Sequence, residues 1–345
     1  MKIQLNARNC AHQFQSGGDE RILLAGLRQA IGLPYECGSG TCGTCKARLI
    51  SGEIAQSWPA APGTKFLKAR DEFLMCQCTA RSDCTLEVTN FVTPFDAAVF
   101  VPQHRSGRVT GIELLTPDVM RVQVGIDTPM DFEAGQFVLL RVPSIDGYRA
   151  WSMANYARGA TELTFILKRK PGGAVSDLLF TEDCNGMAVE LFGPLGSATF
   201  YPEIDRDILC IAGGSGIAGM MSILERADQE RYFERHRGNV FFGVRSAADT
   251  FLLQELAGLA KRAGDALRVT VALSNEGVPD GLTKDYPQLS FDTGWVHEVA
   301  QRQMQGQYQN LRAYLAGPPP SVDASVRMLL MARVTTDNIR YDKFS

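Results

Sequence analysis

The sequence predicts a multidomain α+β protein in three parts: a small α+β unit, a closed antiparallel β-barrel and a doubly wound α/β domain. Three observations predict it. The hydrophobic pattern changes character twice along the chain, a stretch with Pro94 and Pro102 and little periodicity separates the first part, and 345 residues suffice for several cores. The expected divisions are 1–95, a linker at 96–103, a barrel at 104–203 and a final domain at 204–345.

In the first part, residues 2–5 alternate as a strand, and 20–31 carry Ile22, Leu23, Leu24, Leu27 and Ile31 on a helical stripe. Strands are expected again at 46–50 and 84–88. The middle part consists of short runs bounded by Gly and Pro, at 107–114, 119–126, 136–142, 162–168 and 187–192. Such spacing suggests an antiparallel barrel, with one short helix after Gly173. In the last part, apolar strands at 207–212, 239–243, 268–274 and 313–316 alternate with helices at 216–227, 250–263, 295–304 and 322–331. That alternation implies a parallel sheet with helices on both faces.

A net charge of −3, spread without long runs, argues against nucleic acid as the main partner, since phosphate recognition needs concentrated basic surface. The amino-terminal residues lack an apolar signal core, and no uninterrupted apolar run reaches spanning length, so no membrane partner is expected. A cytoplasmic monomer is the expectation, and free thiols fit a reducing compartment.

Chemistry first becomes visible at the cysteines. CGSGTCGTC places Cys37, Cys42 and Cys45 within nine residues, and Cys76 follows in LMCQC. This is the plant-type spacing for four thiolates holding a [2Fe–2S] cluster. Gly38, Gly40 and Gly43 let the chain wrap closely with backbone N–H groups aimed at sulfur. A structural zinc site would pair its ligands at both ends, whereas here a triplet faces a distant residue. With no histidine near the four cysteines a Rieske-type centre is disfavoured, and nine cysteines without a secretion signal make a poor disulfide framework. Cys76 is read as the fourth ligand and Cys78 as a core thiol, because residues two apart on an extended segment face opposite ways; the reverse assignment stays open.

Two glycine-rich turns follow strands in the last part. AGGSGIAGMMS at 212–222 opens a helix, and AGPPPSV at 316–322 ends another strand. Either alone can be a local strand terminus; together they mark the crevice of a parallel sheet where nucleotides bind, with phosphate at a helix N-terminus. In the barrel segment, Arg149 in RAWSMAN offers a phosphate clamp, its aromatic a cover for a flavin face, and PGGAVS a second phosphate cradle. Without the rest of the chain these would read rather as a solvated arginine, a core aromatic and a plain turn.

Across nearly the whole chain these motifs resemble, in order, the ferredoxin-NAD(P)H reductase-like components of bacterial multicomponent oxygenases. PYECGSGTCGTCK with LMCQC looks like their ferredoxin, RAWSMAN like their flavin motif RxYS, and AGGSGIAGMMS, FFGVRSAAD and AGPPP like their pyridine-nucleotide domain. The resemblance implies a β-grasp [2Fe–2S] domain, a flavin-binding barrel and a nucleotide domain, with FAD and NADH. It implies that Arg149 binds flavin phosphate, Trp151 lies on the isoalloxazine, and Ser152, followed by Met153, sits near its reactive edge. Gly173, Val175 and Ser176 match the second pyrophosphate segment. Gly213, Gly214, Ser215, Gly216 and Gly317 match the nicotinamide-nucleotide turns, with Arg245 and Asp249 near the adenosine half. Phe344 resembles the terminal aromatic near the flavin, catalytic together with Ser152. The implied acceptor is an oxygenase component or a small ferredoxin. SGEIAQSWPAAPG looks closest to reductases serving toluene and phenol monooxygenases, though reductases of ring-hydroxylating dioxygenases are also similar.

Three residues depart from the family pattern. Trp151 replaces a tyrosine, Gly219 stands where proline is usual and suggests a looser turn, and Ala316 replaces a cysteine facing the hydride-transfer site. NADPH-using relatives tend to place Ser-Arg after the strand ending near Ser274. Here Asn275 follows, favouring NADH, while Arg245 nearby could supply the charge for NADPH. The expected function is therefore conversion of a two-electron donor's output into single electrons, with flavin as the store. A reductase for sugar deoxygenation and a redox-sensing module of little turnover, supported by Ala316, are the alternative readings.

Overall fold

The structure is a computed structural model that describes residues 1–96 and 99–343. Its contacts divide the chain into two compact units. Met1–Gly107, Val138–Ala150 and Ala188–Leu195 form one, and Arg108–Phe137, Trp151–Met187 and Gly196–Ser345 the other. Among the described residues no helix is long and apolar enough to cross a membrane.

The first unit is built on a five-stranded sheet in the order Ala11–Gln15, Lys2–Asn6, Cys84–Glu87, Lys46–Ser51, Glu72–Leu74. Ile3 and Leu5 point inward from the first strand and are fully buried, as its alternation requires. That strand runs antiparallel to Ala11–Gln15 and parallel to Cys84–Glu87. The helix is Ile22–Arg28, shorter at both ends than the expected 20–31. It starts late because Arg21 is extended, bridging to Thr79 and donating from its guanidinium to the Gln77 carbonyl at 3.0 Å. It stops early because Ala30 turns left-handed at φ 60°, letting Gln29, Ala30 and Ile31 bond back to Gly26 and Leu27. Residues 22–27 are all buried, so this short helix is enclosed rather than amphipathic.

The barrel sheet has six strands in the order Arg149–Ser152, Phe137–Arg141, Ala188–Leu195, Gln103–Thr116, Val119–Met130, Ala160–Lys168. An antiparallel bridge from Met153 to Phe165 joins the chain leaving one edge strand to the other edge strand, so the sheet closes. Gln103–Thr116 is longer than expected, because its first half is polar and carries no apolar alternation.

The last sheet is wholly parallel, in the order Ser290–Thr293, Leu267–Leu273, Gly238–Val244, Asp207–Gly213, Leu311–Gly317, Ile339–Lys343. The chain winds outward from Asp207–Gly213 in one direction and then returns to its other side with Leu311–Gly317. The reversal places a topological switch between the carboxyl ends of these two strands, where a crevice must open. The helix Pro319–Met331 packs with Val296–Gln303 over a core that includes Leu209, Ile211, Val299 and Leu329.

Candidate functional site

The cysteine loop follows the enclosed helix and runs into the strand Lys46–Ser51. Gly38, Gly40 and Gly43 adopt φ of 62°, 95° and 78°, a backbone region that side chains with a Cβ rarely enter. Close approach adds a second demand. A Cβ at Gly40 would lie 2.8 Å from Gln77 Nε2, and one at Gly43 would lie 2.5 Å from Phe66 Cδ2. The wrap turns N–H groups toward sulfur: Thr41 and Cys42 donate to Cys37 Sγ at 3.4 Å, and Thr44 donates to Cys42 Sγ at 3.5 Å. Gln77 Nε2 donates to Cys76 Sγ at 3.5 Å.

The four thiols are brought together as two pairs, Cys37 with Cys42 and Cys45 with Cys76, the latter 3.2 Å apart. A hydrogen bond from Cys42, joined by those from Thr41 and the backbone, lowers Cys37 against the opposing effect of burial, while the same bond and burial raise Cys42. The bond with Cys76, then burial, raises Cys45. Among the described residues no three His, Cys, Asp or Glu side chains converge where one ion would sit. Two neighbouring thiol pairs are a donor set that would suit a dinuclear iron–sulfur group. Cys76 lies in the turn Met75–Gln77 rather than on an extended segment, so its divergence from Cys78 arises from that turn. Cys78 opens the strand Cys78–Ala80, fully buried, its thiol pushed up to about 12 by burial first and the Cys76 charge second.

Arg149 lies on the edge strand Arg149–Ser152, which was not expected from the sequence. Its guanidinium donates to the carbonyls of Asp146 at 2.6 Å and Gly147 at 2.7 Å, which fixes the side chain beside the turn. Trp151 stands 5.5 Å from the Phe165 ring at 58°. Ser152 is nearly buried and Met153 wholly so. Gly173 caps the helix Ala174–Thr181, Val175 is buried, and the Ser176 hydroxyl donates to the Lys170 and Gly173 carbonyls at 3.0 Å. Ser176 thereby closes the turn at 170–173. Asp177, unnoticed in the sequence, takes the Gly172 N–H at 3.0 Å and pairs with Arg169 at 3.1 Å.

At the switch point the two glycine turns touch through their backbones. A Cβ at Gly216 would lie 2.6 Å from the Ala316 carbonyl carbon and oxygen, and one at Gly317 would lie 3.0 Å from the Gly213 oxygen. Gly214 is left-handed at φ 55° with open space beside it, and Ser215 follows in the turn Gly214–Gly216. Gly216 precedes the helix Ile217–Gln229, whose first turn has neither a side-chain cap nor an acidic residue, an arrangement favourable to an anion. Gly219 falls inside that helix, so its effect is space rather than the expected looser turn. A Cβ there would meet Ser152 Cβ at 3.7 Å, an ordinary contact. Ser152 is therefore brought against the first turn of the helix that Gly216 precedes. Phe344 lies outside the described residues.

Arg245 and Asp249 are ion-paired to each other, and Asp118 approaches the same guanidinium at 3.4 Å. Asp249 also takes the Ser246 N–H and hydroxyl, capping the turn Ala247–Asp249. Glu276, one residue beyond Asn275, accepts the Ala247 N–H. Two cavities of about 480 and 470 Å³ lie elsewhere, the first at the amino-terminal strand ends near Arg206 and Asn310, and include none of these residues.

Family models match the chain in the same order as the sites. A 2Fe-2S iron-sulfur cluster binding domain covers residues 7–81, an oxidoreductase FAD-binding domain 106–200, and an oxidoreductase NAD-binding domain 210–327. The chain is 33% identical to the ferredoxin–NAD(P)(+) reductase CarAd of Metapseudomonas resinovorans, over 95% of each protein. It is 35% identical to the ferredoxin–NAD(+) reductase component of the alkene monooxygenase system of Xanthobacter autotrophicus, over 97% of this chain and 99% of that one. This chain belongs to the ferredoxin–NAD(P) reductase components of oxygenase systems. A solved ferredoxin reductase in carbazole 1,9a-dioxygenase matches with a TM-score of 0.85 and 32% identity, over 100% of this chain and 99% of that one. The reductase is a flavoprotein that carries electrons from NAD(P)H by way of FAD and a [2Fe–2S] centre toward an oxygenase.

Proposed function

We propose that this reductase draws electrons from NADH in preference to NADPH and delivers them singly to an oxygenase component, or its small ferredoxin, acting on a hydrocarbon or aromatic substrate. The pairing of four sulfurs around one glycine loop carries the reading of the exit, with Cys37, Cys42, Cys45 and Cys76 as cluster ligands. When bound, FAD accepts an electron pair and releases it one electron at a time, as a [2Fe–2S] acceptor requires.

The chain's own residues bind and tune. Arg149 places a fixed positive charge for flavin phosphate, and Gly173, Val175 and Ser176 shape the second phosphate cradle. Trp151 covers the ring face, and Ser152, with Met153 buried behind it, presents a hydroxyl toward the crevice. Gly213, Gly214, Ser215, Gly216 and Gly317 bring backbone close enough for the dinucleotide. Backbone N–H groups at Cys37 and Cys42 draw charge from sulfur and so set the cluster potential. A cytoplasmic monomer fits nine free cysteines in a reducing compartment.

The preference for NADH follows from charge. Arg245 is already shared by Asp118 and Asp249, and Glu276 adds a carboxylate where an extra phosphate would arrive. The relatives named above serve oxygenases, which favours that role over sugar deoxygenation. Purified enzyme should show flavin and iron-sulfur absorbance and reduce cytochrome c with NADH. Cys42→Ser should abolish the cytochrome reaction and spare reduction of ferricyanide; an undiminished cytochrome rate would sink the assigned route.

A further inference from the structure

The cysteine loop has two sides of different character. On one, Gly38 is buried, and a Cβ there would lie 3.0 Å from Leu139 Cδ1 of the barrel strand Phe137–Arg141. On the other, a strap formed by residues 57–70 lies over Gly40 and Gly43. It is tied down at both ends of its first half: Ser57 N–H bonds to the Gln77 carbonyl at 2.9 Å, and Gly63 N–H to the Gly40 carbonyl at 2.8 Å. Gly63 has no room for a side chain, since a Cβ would lie 2.8 Å from the Gly40 oxygen and 3.0 Å from the Gly43 nitrogen. The strap is thus part of the cluster loop's own packing.

What the strap presents outward is unusual for a surface that serves only solubility. Phe66 touches the loop at Gly43 yet stays 46% exposed, and Trp58 is 42% exposed. Lys65 lies over the Phe66 ring at 5.1 Å, and Lys68 and Arg70 follow, all exposed. Residues 57–70 contain these three cations and no acidic residue. Among the described residues none of the three is ion-paired, whereas the neighbouring Asp71 and Glu72 are neutralised by Arg48 and Lys46. Glu36 accepts the Thr44 hydroxyl of the loop at 3.2 Å. Two exposed aromatics on a segment with three cations outside any ion pair and no acidic residue are a docking composition rather than a solvating one.

We propose that the strap carrying Trp58, Lys65, Phe66, Lys68 and Arg70 is the docking surface for the electron acceptor, and that it selects a protein partner with an acidic face. The proposal rests on the reading of the cysteine loop as the exit for electrons. Phe66 brings the acceptor against Gly43, beside Cys42, while the cations steer its approach and fix its orientation.

Two one-electron haem proteins of opposite charge serve as probes: the acidic soluble domain of cytochrome b5 and the basic cytochrome c. The variant is full-length holoenzyme with Lys65→Glu, Lys68→Glu and Arg70→Glu. At low salt its kcat/KM for cytochrome b5 should fall by about tenfold or more, and that for cytochrome c should rise, both differences shrinking toward high ionic strength. The rate at which NADH bleaches the enzyme's own absorbance should not change. Unchanged cytochrome b5 kinetics in this variant, with Cys42→Ser inactive toward both haem proteins, overturns the docking surface alone. If Cys42→Ser still reduces either haem protein, the exit reading falls and takes the docking surface with it.

Discussion

At the nucleotide turn, the tolerance of Gly216 is set by backbone geometry. The atoms a Cβ would strike at 2.6 Å belong to the Ala316 backbone, which is held in register against Ala212 and cannot yield as a side-chain tip could. Gly216→Ala should therefore raise the KM for NADH and cost roughly 1–3 kcal/mol of stability, as overpacking typically does; steady-state kinetics beside thermal unfolding measures both. Ala316 poses the opposite case. It is 4% exposed at the crevice, and the resemblance places a cysteine there. Ala316→Cys should raise the rate at which NADH bleaches the flavin by about tenfold, equivalent to ~1.4 kcal/mol of barrier, with little change in KM. Stopped-flow mixing checks it, and an unchanged rate would mean that this chain has no use for the thiol. At Asn275, replacement by Arg together with Glu276→Gln should raise kcat/KM for NADPH by roughly tenfold through one added ion pair and one lost repulsion. The glycine turns and the absence of charge at Asn275 can be read from the sequence because backbone demands and local charge are written in consecutive residues. Asp118 and Glu276 cannot, since they reach Arg245 and Ala247 from distant positions.

The helix Ile217–Gln229 is held by more than its apolar face. Arg226 is 3% exposed and pairs with the nearly buried Glu133, donates to the Phe200 carbonyl at 2.7 Å, binds Glu230 at 3.1 Å and lies 5.0 Å from the Tyr156 ring centroid. Ser222, fully buried, accepts the Gly135 N–H at 2.8 Å from the same helix. Glu133→Gln should leave the buried guanidinium with only the half-exposed Glu230 as counter-charge and cost about 3 kcal/mol, whereas the double variant Glu133→Leu with Arg226→Met should lose less. Denaturant midpoints of the two, read on flavin release, decide it; equal losses would mean the pair contributes nothing beyond its volume. Elements of this domain were easiest to read where burial is two-sided, as in the apolar run of Asp207–Gly213. The edge strands Ser290–Thr293 and Ile339–Lys343 escaped because they are half exposed and lack an apolar run. Ala11–Gln15, with one buried residue in five, escaped for the same reason.

At the scale of the whole molecule, the route proposed above would draw on a contact made inside the first unit. Gly38 rests on Leu139, and the strand bearing Leu139 is the sheet neighbour of Arg149–Ser152. Glu20 steadies the same unit by binding Arg28 at 2.9 Å and His104 at 3.2 Å. Burial alone would raise its carboxyl, but the His104 and Arg28 hydrogen bonds prevail and hold it at about 2. The order of the three parts was legible from motif order, whereas this contact was not, because nothing in the sequence couples a cluster-loop glycine to a leucine a hundred residues on. Gly38→Ala should push the loop from the strand, since the new Cβ would lie 3.0 Å from Leu139 Cδ1 and 3.2 Å from Cδ2. A displacement near 1 Å can cost on the order of a hundredfold in a reaction that depends on placement. NADH should then bleach the flavin at the normal rate while the cluster absorbance lags. Leu139→Val removes both δ carbons, so adding it to Gly38→Ala should restore most of the cluster rate. If the double variant lags as far as the single one, the left-handed backbone at Gly38, φ 62°, is the controlling feature and the contact with the barrel strand is not.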